Sequence, residues 1–261
     1  MGEVLGREVP GAAAVNREWV AALEERLSAL GVACDSRAPE RLARYHALLA
    51  EWNTRVNLTG DADFQLALDR HYCDSLAPLG VEGLFPMGAS LIDVGTGAGF
   101  PGLPLAIARP DLCVTLMDSL QKRVAFLEAV VKELGLPNVR VCHARAEDGG
   151  RAQEHRERYG LAVARGVAAL PVLLEYLLPF VNVGGQALCY KGPAVAAEWE
   201  AGTRAARALG GGALVRWPVL LPARPEWEHC VIAAPKIEKT LRQYPRKAGT
   251  PERSPLGTID R

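Results

Sequence analysis

The chain has 261 residues, of which 49% are hydrophobic and 23% charged, a composition typical of a globular protein with one large core or one core plus a small satellite. Thirty basic residues balance thirty acidic ones, which excludes a strong overall field toward a polyanion. No apolar run approaches the roughly 18 residues that cross a bilayer and no export signal is visible, so we expect a cytoplasmic protein without a membrane partner.

Two amphipathic helices are predicted within residues 1–85. Asn16 can cap the first, which should end at Gly31. Its apolar positions recur at intervals of three and four: Trp19, Leu23, Leu27 and Leu30. Pro39 suits the first turn of the second helix, whose apolar positions have the same spacing: Leu42, Tyr45, Leu49, Trp52 and Val56. Since no strand pattern appears there, residues 1–85 are predicted to form an N-terminal helical layer.

From Ser90 onward, short apolar runs of β type alternate with helical stretches. The runs cover residues 91–94, 113–117, 139–143, 161–164, 186–190, 213–217 and 228–234. One of the helical stretches is predicted over residues 120–134. Continuous apolar runs separated by such helices indicate a mostly parallel sheet covered on both faces. We therefore predict an α/β, Rossmann-like domain over residues 86–235, with about seven strands and the last two paired as in a hairpin.

Residues 236–261 are predicted to form a basic, extended or mobile tail, because they include too few apolar residues to organise a core. The tail contains seven basic residues against three acidic ones, which gives it a net charge of +4 and leaves −4 for the preceding body. Any contact with a polyanion is therefore expected to be local. Within the tail we expect Arg246 and Lys247 to bind RNA phosphates.

The six cysteines are widely scattered, and no C-x-x-C pair suggests a zinc or redox site. They are Cys34, Cys73, Cys113, Cys142, Cys189 and Cys230. We expect free structural thiols and no bound metal.

A glycine-rich turn directly follows the run at 91–94 and precedes a helix. Glycine permits positive φ and close backbone approach, and the following helix offers free N–H donors. Two templates overlap here. Gly97, Gly99 and Gly102 match the dinucleotide spacing G-x-G-x-x-G. Asp93-x-Gly95-x-Gly97-x-Gly99 resembles motif I of class I methyltransferases, whose leading acidic residue lies near the methionine part of S-adenosylmethionine.

Further candidate residues follow the ends of the predicted strands, where open α/β sheets bind ligands. Asp118 can accept hydrogen bonds from both ribose hydroxyls of either cofactor, or it can cap the next helix. Ala146 and Glu147 follow the third strand, where class I methyltransferases hold adenine, although Glu147 can equally be a solvated loop charge. Arg165 and Lys191 follow the fourth and fifth strands.

Arg70, His71 and Asp74 lie three and four positions apart on a predicted helix. They can form one polar edge beside the cofactor. The alternative is an ordinary ion pair between Arg70 and Asp74, with His71 hydrogen-bonded inside the protein.

Several blocks follow one another along the chain: WNTRVNLT at 52–59, RHYCDSL at 70–76, the glycine loop through Gly102, DSLQKR at 118–123, ARGVA at 164–168, Lys191-Gly192 and YPRKAGTP at 244–251. In this order they resemble the RsmG (GidB) family of 16S rRNA (guanine-N7)-methyltransferases. The blocks extend over nearly the whole chain from Arg44. Where the family's loop usually has proline, this chain has Ala98.

The resemblance implies a class I methyltransferase fold, S-adenosylmethionine as the cofactor, and methylation of N7 of a single guanine, guanine 527, in 16S rRNA, either naked or in the small ribosomal subunit. Together with motif I, it implies these cofactor-binding residues: Asp93, Gly95, Gly97, Gly99, Phe100, Asp118, Ser119, Leu120, Ala146, Glu147 and Arg165. Positioning roles in catalysis are expected for His71, Asp74, Arg165 and Lys191. We also expect a monomer.

Two other functions remain open on the residues alone. A nicotinamide-dependent oxidoreductase would use Gly97, Gly99, Gly102 and Asp118, but no Tyr-x-x-x-Lys pair follows the fourth strand. A non-catalytic RNA-binding module would use the basic tail, but aromatic residues are only 6% of the chain and are not interleaved with the basic ones as in a stacking platform.

Overall fold

A computed structural model describes residues 16–60 and 64–258, without the side chains of residues 64 and 65. The first 15 residues of the predicted helical layer and residues 259–261 of the predicted tail lie outside this description. The helices are α1 (Arg17–Ala29), α2 (Ala38–Asn53), α3 (Phe64–Ala67), α4 (Asp74–Leu76), α5 (Gly102–Ala108), α6 (Gln121–Leu134), α7 (Ala146–Gly149), α8 (Leu170–Leu177), α9 (Val195–Ala208) and α10 (Thr250–Arg253). A π-helical turn, Leu68–Cys73, joins α3 to α4, and short 3₁₀ turns occupy Ala77–Gly80 and Leu178–Phe180.

The first two helices agree with their sequence patterns. The Asn16 side chain accepts hydrogen bonds from the N–H groups of Glu18 at 3.0 Å and Trp19 at 3.2 Å, so it caps α1 as predicted. The apolar stripes of both helices are buried. Among the described helices, none combines the length and the apolarity that a bilayer crossing requires.

Seven strands form one sheet: β1 (Ser90–Val94), β2 (Cys113–Asp118), β3 (Val139–His143), β4 (Tyr159–Arg165), β5 (Val181–Lys191), β6 (Val215–Val219) and β7 (His229–Pro235). Their order is β3-β2-β1-β4-β5-β7-β6. The first five are parallel, and β7 is antiparallel to both β5 and β6. This confirms the predicted α/β fold, including the paired last strands.

The sixth strand is displaced from its predicted position. We expected residues 213–217, whereas β6 continues through Pro218 to Val219. Proline cannot donate to a ladder, but β6 lies at the edge of the sheet, where that lost donor is tolerated.

Apolar clusters cover both faces of the sheet. On one face, Trp19 of α1 and Tyr45 of α2 belong to the same buried cluster as Phe126 of α6 and Leu91 of β1. The N-terminal helices therefore share their core with the sheet. On the other face, buried side chains of α8 and α9 pack together with Phe180 and the opposite sides of the central strands.

The segment that follows β7 differs from the extended or mobile tail that we expected. Lys236 is 1% exposed, its Nζ donates to the Leu178 carbonyl at 2.6 Å, and burial lowers its pKa to about 8. Thr240 is also buried, with its hydroxyl donating to the Leu209 carbonyl at 2.7 Å. Through residue 258 the tail is packed on the body by polar contacts, which a count of apolar residues does not reveal.

Candidate active site at the carboxyl edge of the sheet

The carboxyl ends of the five parallel strands bring the predicted site residues to one edge. Strand β1 lies between β2 and β4, so successive strands are added on one side of β1 up to β3 and on its other side from β4 onward. A ligand crevice forms at such a switch point in open α/β sheets. The glycine loop leaves β1 here. Asp118, Arg165 and Lys191 are the last residues of β2, β4 and β5.

Positive φ values shape the glycine loop. They are +72° at Gly95, +63° at Gly97 and +110° at Gly99, in the region that favours glycine. A Cβ atom at Gly99 would lie 2.5 Å from Leu103 Cδ1 and 2.8 Å from the hydroxyl of Tyr45 in α2, whereas one at Gly97 would meet nothing within 4 Å. Gly99 is therefore required by packing, and Gly97 borders open space that a ligand can approach.

Asp93 supports this loop from inside the protein. It is 0% exposed, and its Oδ2 accepts hydrogen bonds from the Thr96 hydroxyl at 2.6 Å and from the Gly102 N–H at 2.8 Å. Its Oδ1 has no hydrogen-bond partner among the described residues. Burial raises the pKa of Asp93 to about 7, and the two hydrogen bonds and the charge of Arg165 only partly offset that rise.

Asp118 binds both the glycine loop and the turn that leads into α6. Its Oδ2 accepts from the Gly97 N–H at 2.9 Å, and its Oδ1 accepts from the Leu120 N–H at 2.9 Å. The Arg123 guanidinium lies 3.4 Å away. The alternative of a helix cap is not observed, because Leu120 is the N-cap residue of α6 and no side chain caps this helix. A carboxylate with the partners of Asp118 retains lone pairs that can accept from a ligand.

A cavity of about 160 Å³ lies beside the loop, and we call it the glycine-loop cavity. It is lined by Val94, Gly95, Ser119, Ala144, Arg145, Ala146, Glu147, Val167, Tyr176, Gly249 and Glu252. Four predicted cofactor residues are brought together here: Gly95, Ser119, Ala146 and Glu147. The other predicted cofactor residues are not in its lining.

The sequence analysis missed the C-terminal wall of this cavity. Gly249 donates its N–H to Glu147 Oε1 at 3.0 Å, so Glu147 is engaged by the tail and is 5% exposed rather than solvated. Gly249 has φ +74° and directly precedes α10, with Pro251 in its first turn. The pattern Gly-x-Pro at 249–251 indicates a tight turn into a helix, and it is the sequence signal that could have predicted this wall.

A second cavity, of about 350 Å³, lies on the other side of the segment that follows β4, and we call it the arginine cavity. It is lined by Arg70, His71, Asp74, Arg165, Gly166, Ala168, Tyr190, Lys191, Gly192 and His229. All four residues predicted to have positioning roles in catalysis therefore lie together.

Arg165 is held from several sides. Its Nη1 donates to Asp74 Oδ2 at 2.9 Å and to the Arg70 carbonyl at 2.8 Å. The guanidinium lies 5.2 Å from the ring centroid of Phe100, and His71 stacks on the same ring at 4.8 Å. Phe100, predicted to contact cofactor, is 6% exposed and packs against these two side chains.

Asp74 has a second partner, His229, that was not predicted from the sequence. His229 Nδ1 lies 2.8 Å from Asp74 Oδ1. Burial alone would raise the pKa of Asp74, but the hydrogen bond from His229 and the charge of Arg165 outweigh it and lower the pKa. His229 was missed because β7 is antiparallel, so its first residue, and not its last, lies at this edge.

Lys191 is also paired. Its Nζ lies 2.8 Å from Glu198 Oε2 and donates to the Ala168 carbonyl at 3.1 Å. This arrangement joins the end of β5 to α9 and to the segment after β4.

Arg246 and Lys247 lie in neither of the two cavities and differ in environment. Arg246 donates to Glu175 through Nε at 2.9 Å and Nη2 at 2.6 Å, and Glu175 is 0% exposed. Arg246 is therefore neutralised by a buried carboxylate, and this contact raises its pKa. Lys247 is exposed.

The sheet order, the reversed seventh strand and the glycine loop define a class I methyltransferase fold. Residues 38–216 match the GidB family model, described as rRNA small subunit methyltransferase G, and the chain belongs to this family.

Similar proteins agree with this membership. The chain is 43% identical to ribosomal RNA small subunit methyltransferase G of Alkaliphilus metalliredigens, over 90% of this chain and 97% of that one. It is 45% identical to the protein of the same name from a Roseiflexus species, over 87% and 96%. A crystal structure of a MtNAS mutant, 12% identical, matches with a TM-score of 0.50 over 85% of this chain and 78% of that one, which shows the fold alone. Membership confirms the predicted methyltransferase class and rules against the oxidoreductase and the non-catalytic module.

Proposed function

We propose that the chain transfers a methyl group from S-adenosylmethionine to N7 of a single guanine in 16S rRNA, at position 527. The observation that carries the proposal is the arrangement of residues 165–168. Val167 lines the glycine-loop cavity, whereas Arg165, Gly166 and Ala168 line the arginine cavity. One short segment thus separates a space suited to a nucleoside cofactor from a cationic space suited to a nucleotide.

The residues in and beside the glycine-loop cavity fit this cofactor. Gly97 borders open space, Asp118 retains acceptor capacity for ribose hydroxyls, and Ala146 and Glu147 lie where an adenine ring would be held. Leu120 is 42% exposed and offers an apolar surface to the ring. When bound, S-adenosylmethionine supplies an electrophilic methyl group.

The arginine cavity would receive the target nucleotide. Arg165 and Lys191 are suited to a phosphate or to guanine O6, which are acceptors only. Asp74 acts as a positioning residue, because its two oxygens are occupied by Arg165 and His229. In this role it fixes the guanidinium and does not need to touch the base.

Guanine N7 carries an unprotonated lone pair, so no proton has to leave before the methyl group is transferred. The contribution of the protein is then orientation of N7 toward the methyl carbon, which can supply a large effective molarity. The deep, narrow major groove of A-form RNA excludes protein side chains, so the guanine must lie in a loop or be splayed out.

The test is methyl transfer from tritiated cofactor to small ribosomal subunits, and to naked 16S rRNA, isolated from cells that lack this protein. The expected result is one labelled nucleotide, identified by nucleoside analysis as 7-methylguanosine. Equilibrium binding should favour S-adenosylmethionine over NAD. Label at another base or atom, or no transfer to either substrate, would refute the proposal.

A further inference from the structure

A second cationic surface lies at the opposite, amino edge of the sheet, away from both cavities of the candidate active site. Four exposed cations converge there on a cavity of about 610 Å³: Arg151, Arg158, Lys239 and Arg242. We call these four residues the amino-edge cluster. Arg158 directly precedes β4, and the side chain of Asn182, near the start of β5, also lines the cavity.

The charges of the amino-edge cluster are not compensated by the protein. Within residues 16–60 and 64–258, none of its four cations has a carboxylate within 4.0 Å. The acidic residue in the lining, Glu157, is already occupied, since its Oε1 accepts from the Thr240 N–H at 2.8 Å and lies 3.5 Å from Lys236 Nζ. A folded surface usually mixes charges of both signs, and an uncompensated group of like charges opposes folding.

A half-buried arginine, Arg156, fixes the segments that carry the cluster. Arg156 donates to four backbone carbonyls, those of Gly150, Thr240, Leu241 and Tyr244, at 2.7 to 3.1 Å. The first belongs to the loop before β4, and the other three belong to the tail. The tail residues Lys239 and Arg242 are thereby fastened beside Arg151 and Arg158. Such preorganisation favours binding, because less conformational entropy is lost when a ligand arrives.

We propose that the amino-edge cluster is a docking site for the phosphate backbone of an RNA segment remote from the methylated guanine. This inference rests on the proposed rRNA substrate. Phosphate contacts do not read sequence but fix register and orientation, and the polar side chains of Asn182 and Gln153 suit such contacts. An acidic protein segment is the competing ligand, and the experiment includes it.

The position of the cluster determines which RNA can use it. Arg158 precedes the first residue of β4 and Arg165 is its last, so the two are seven positions apart, about 23 Å at about 3.3 Å per residue. A hairpin of a few base pairs offers no segment remote from its target guanine, whereas folded 16S rRNA can engage both edges. The second contact then raises the overall affinity through effective concentration.

The experiment compares two variants with equal charge change. The cluster variant carries Arg158→Gln, Lys239→Gln and Arg242→Gln. The control carries Arg17→Gln, Arg37→Gln and Lys132→Gln, three exposed cations on helices α1 and α6 and at the start of α2. Binding to full-length 16S rRNA, to a hairpin carrying the target guanine and to polyglutamate, which represents an acidic protein segment, is measured over a salt series. Methyl transfer to small subunits is measured in parallel.

For full-length RNA, the cluster variant should lose about two units of log–log salt slope, as expected when three phosphate contacts are removed. The KM for small subunits should rise about tenfold with kcat unchanged. Hairpin binding, S-adenosylhomocysteine affinity and the control variant should match wild type. The single Arg158→Gln variant removes one contact of the three, so its salt slope should change by about a third as much as that of the cluster variant. This single variant keeps the test valid if the triple variant is unstable.

An unchanged slope for full-length RNA, an equal loss in the control, or a loss of polyglutamate binding in place of RNA binding would overturn the inference. Failure of the proposed function is distinguishable, because wild-type protein would then transfer no methyl group to small subunits. If wild type does transfer it and the slopes are equal, only the docking site is refuted.

Discussion

Arg165 and Asp74, 91 positions apart in the chain, form an ion pair with an N–O distance of 2.9 Å. The pair connects the end of β4 to the start of α4, and both side chains are largely buried, at 17% and 7% exposure. His229 completes the group through the second oxygen of Asp74. Three distant parts of the chain therefore meet at one carboxylate.

Replacement of Asp74 by alanine should lower the free energy of unfolding by about 3 kcal/mol, because the Arg165 guanidinium and the His229 ring lose their shared buried acceptor. The lowered pKa of Asp74 means that its stabilisation is fully present above the unfolded value of about 3.9. It is lost as the pH falls through the folded pKa. Urea denaturation of wild type and Asp74→Ala between about pH 6 and 2.5 tests this. Asp35→Ala, which breaks a more exposed pair with Arg37, is the control. A difference between wild type and Asp74→Ala that does not shrink as the pH falls would contradict the prediction.

Substitution of Gly97 by valine should abolish cofactor binding, since the new side chain would occupy the open space beside the loop. Gly31 is a matched control: it has φ +64° against +63° at Gly97, and a Cβ at either position meets nothing within 4 Å. Both Gly→Val variants should lose similar stability, while Gly97→Val alone loses S-adenosylhomocysteine binding in calorimetry. In the same assay Asp118→Ala should weaken binding by about 1.5–3 kcal/mol. Wild-type affinity in folded Gly97→Val and Asp118→Ala would remove both residues from the site.

Ionisation of Asp93 should make cofactor preference depend on pH. S-adenosylmethionine carries a sulfonium charge that S-adenosylhomocysteine lacks, and Asp93 becomes an anion as the pH rises through its pKa of about 7. The ratio of the two affinities should therefore shift toward S-adenosylmethionine by about tenfold between about pH 6 and 8, or about 1.4 kcal/mol. In Asp93→Asn the ratio should be flat. Equal pH dependence in the two proteins would show that Asp93 does not sense the sulfonium.

Arg246 and Lys247 are adjacent cations for which we expect opposite phenotypes. Arg246→Ala leaves the buried Glu175 carboxylate unpaired, so it should lower the free energy of unfolding by about 3–5 kcal/mol. Lys247→Ala should leave stability unchanged and reduce the salt slope of RNA binding by up to about one unit. Thermal unfolding and filter binding of both variants distinguish these effects. Equal stability of the two variants would show that the Glu175 contact contributes little.

Methyl transfer itself should depend little on pH, because N7 needs no general base. The single-turnover rate at saturating cofactor and RNA should vary less than about threefold between about pH 6.5 and 8.5. Rapid-quench measurements on wild type and His71→Gln provide the test. A unit-slope rise in wild type that disappears in His71→Gln would identify a base and refute transfer by orientation alone.

The strands and the glycine loop were predictable because they are local patterns. An apolar run buried on two faces, followed by a turn that needs positive φ at Gly95 and Gly97, fits few structures other than a central strand that leads into a glycine loop. The partners of Asp74 were not predictable in the same way. We considered an i,i+4 pair with Arg70, but residues 68–73 form a π-helical turn in which the Asp74 N–H bonds to the Asp69 carbonyl, and this wider turn changes side-chain register.

The packing of the tail on the body also could not be predicted from the sequence patterns. It depends on pairs such as Glu147 with Gly249 and Glu175 with Arg246, which are 102 and 71 positions apart. Periodicity describes neighbours in the chain, and each of these acidic residues fits equally well in a solvated loop or on a helix surface.

The pairing of Glu175 with Arg246 also orders events during synthesis. A ribosome adds residues from the amino end, so α8 and all seven strands are synthesised before Arg246 has been joined to the nascent chain. Until then the Glu175 carboxylate has no cation and cannot be buried without a large desolvation cost. A product arrested between residues 236 and 245 would contain the whole sheet and yet stay locally open, a state that chaperones and proteases recognise. Stable folding therefore requires that translation has passed Arg246.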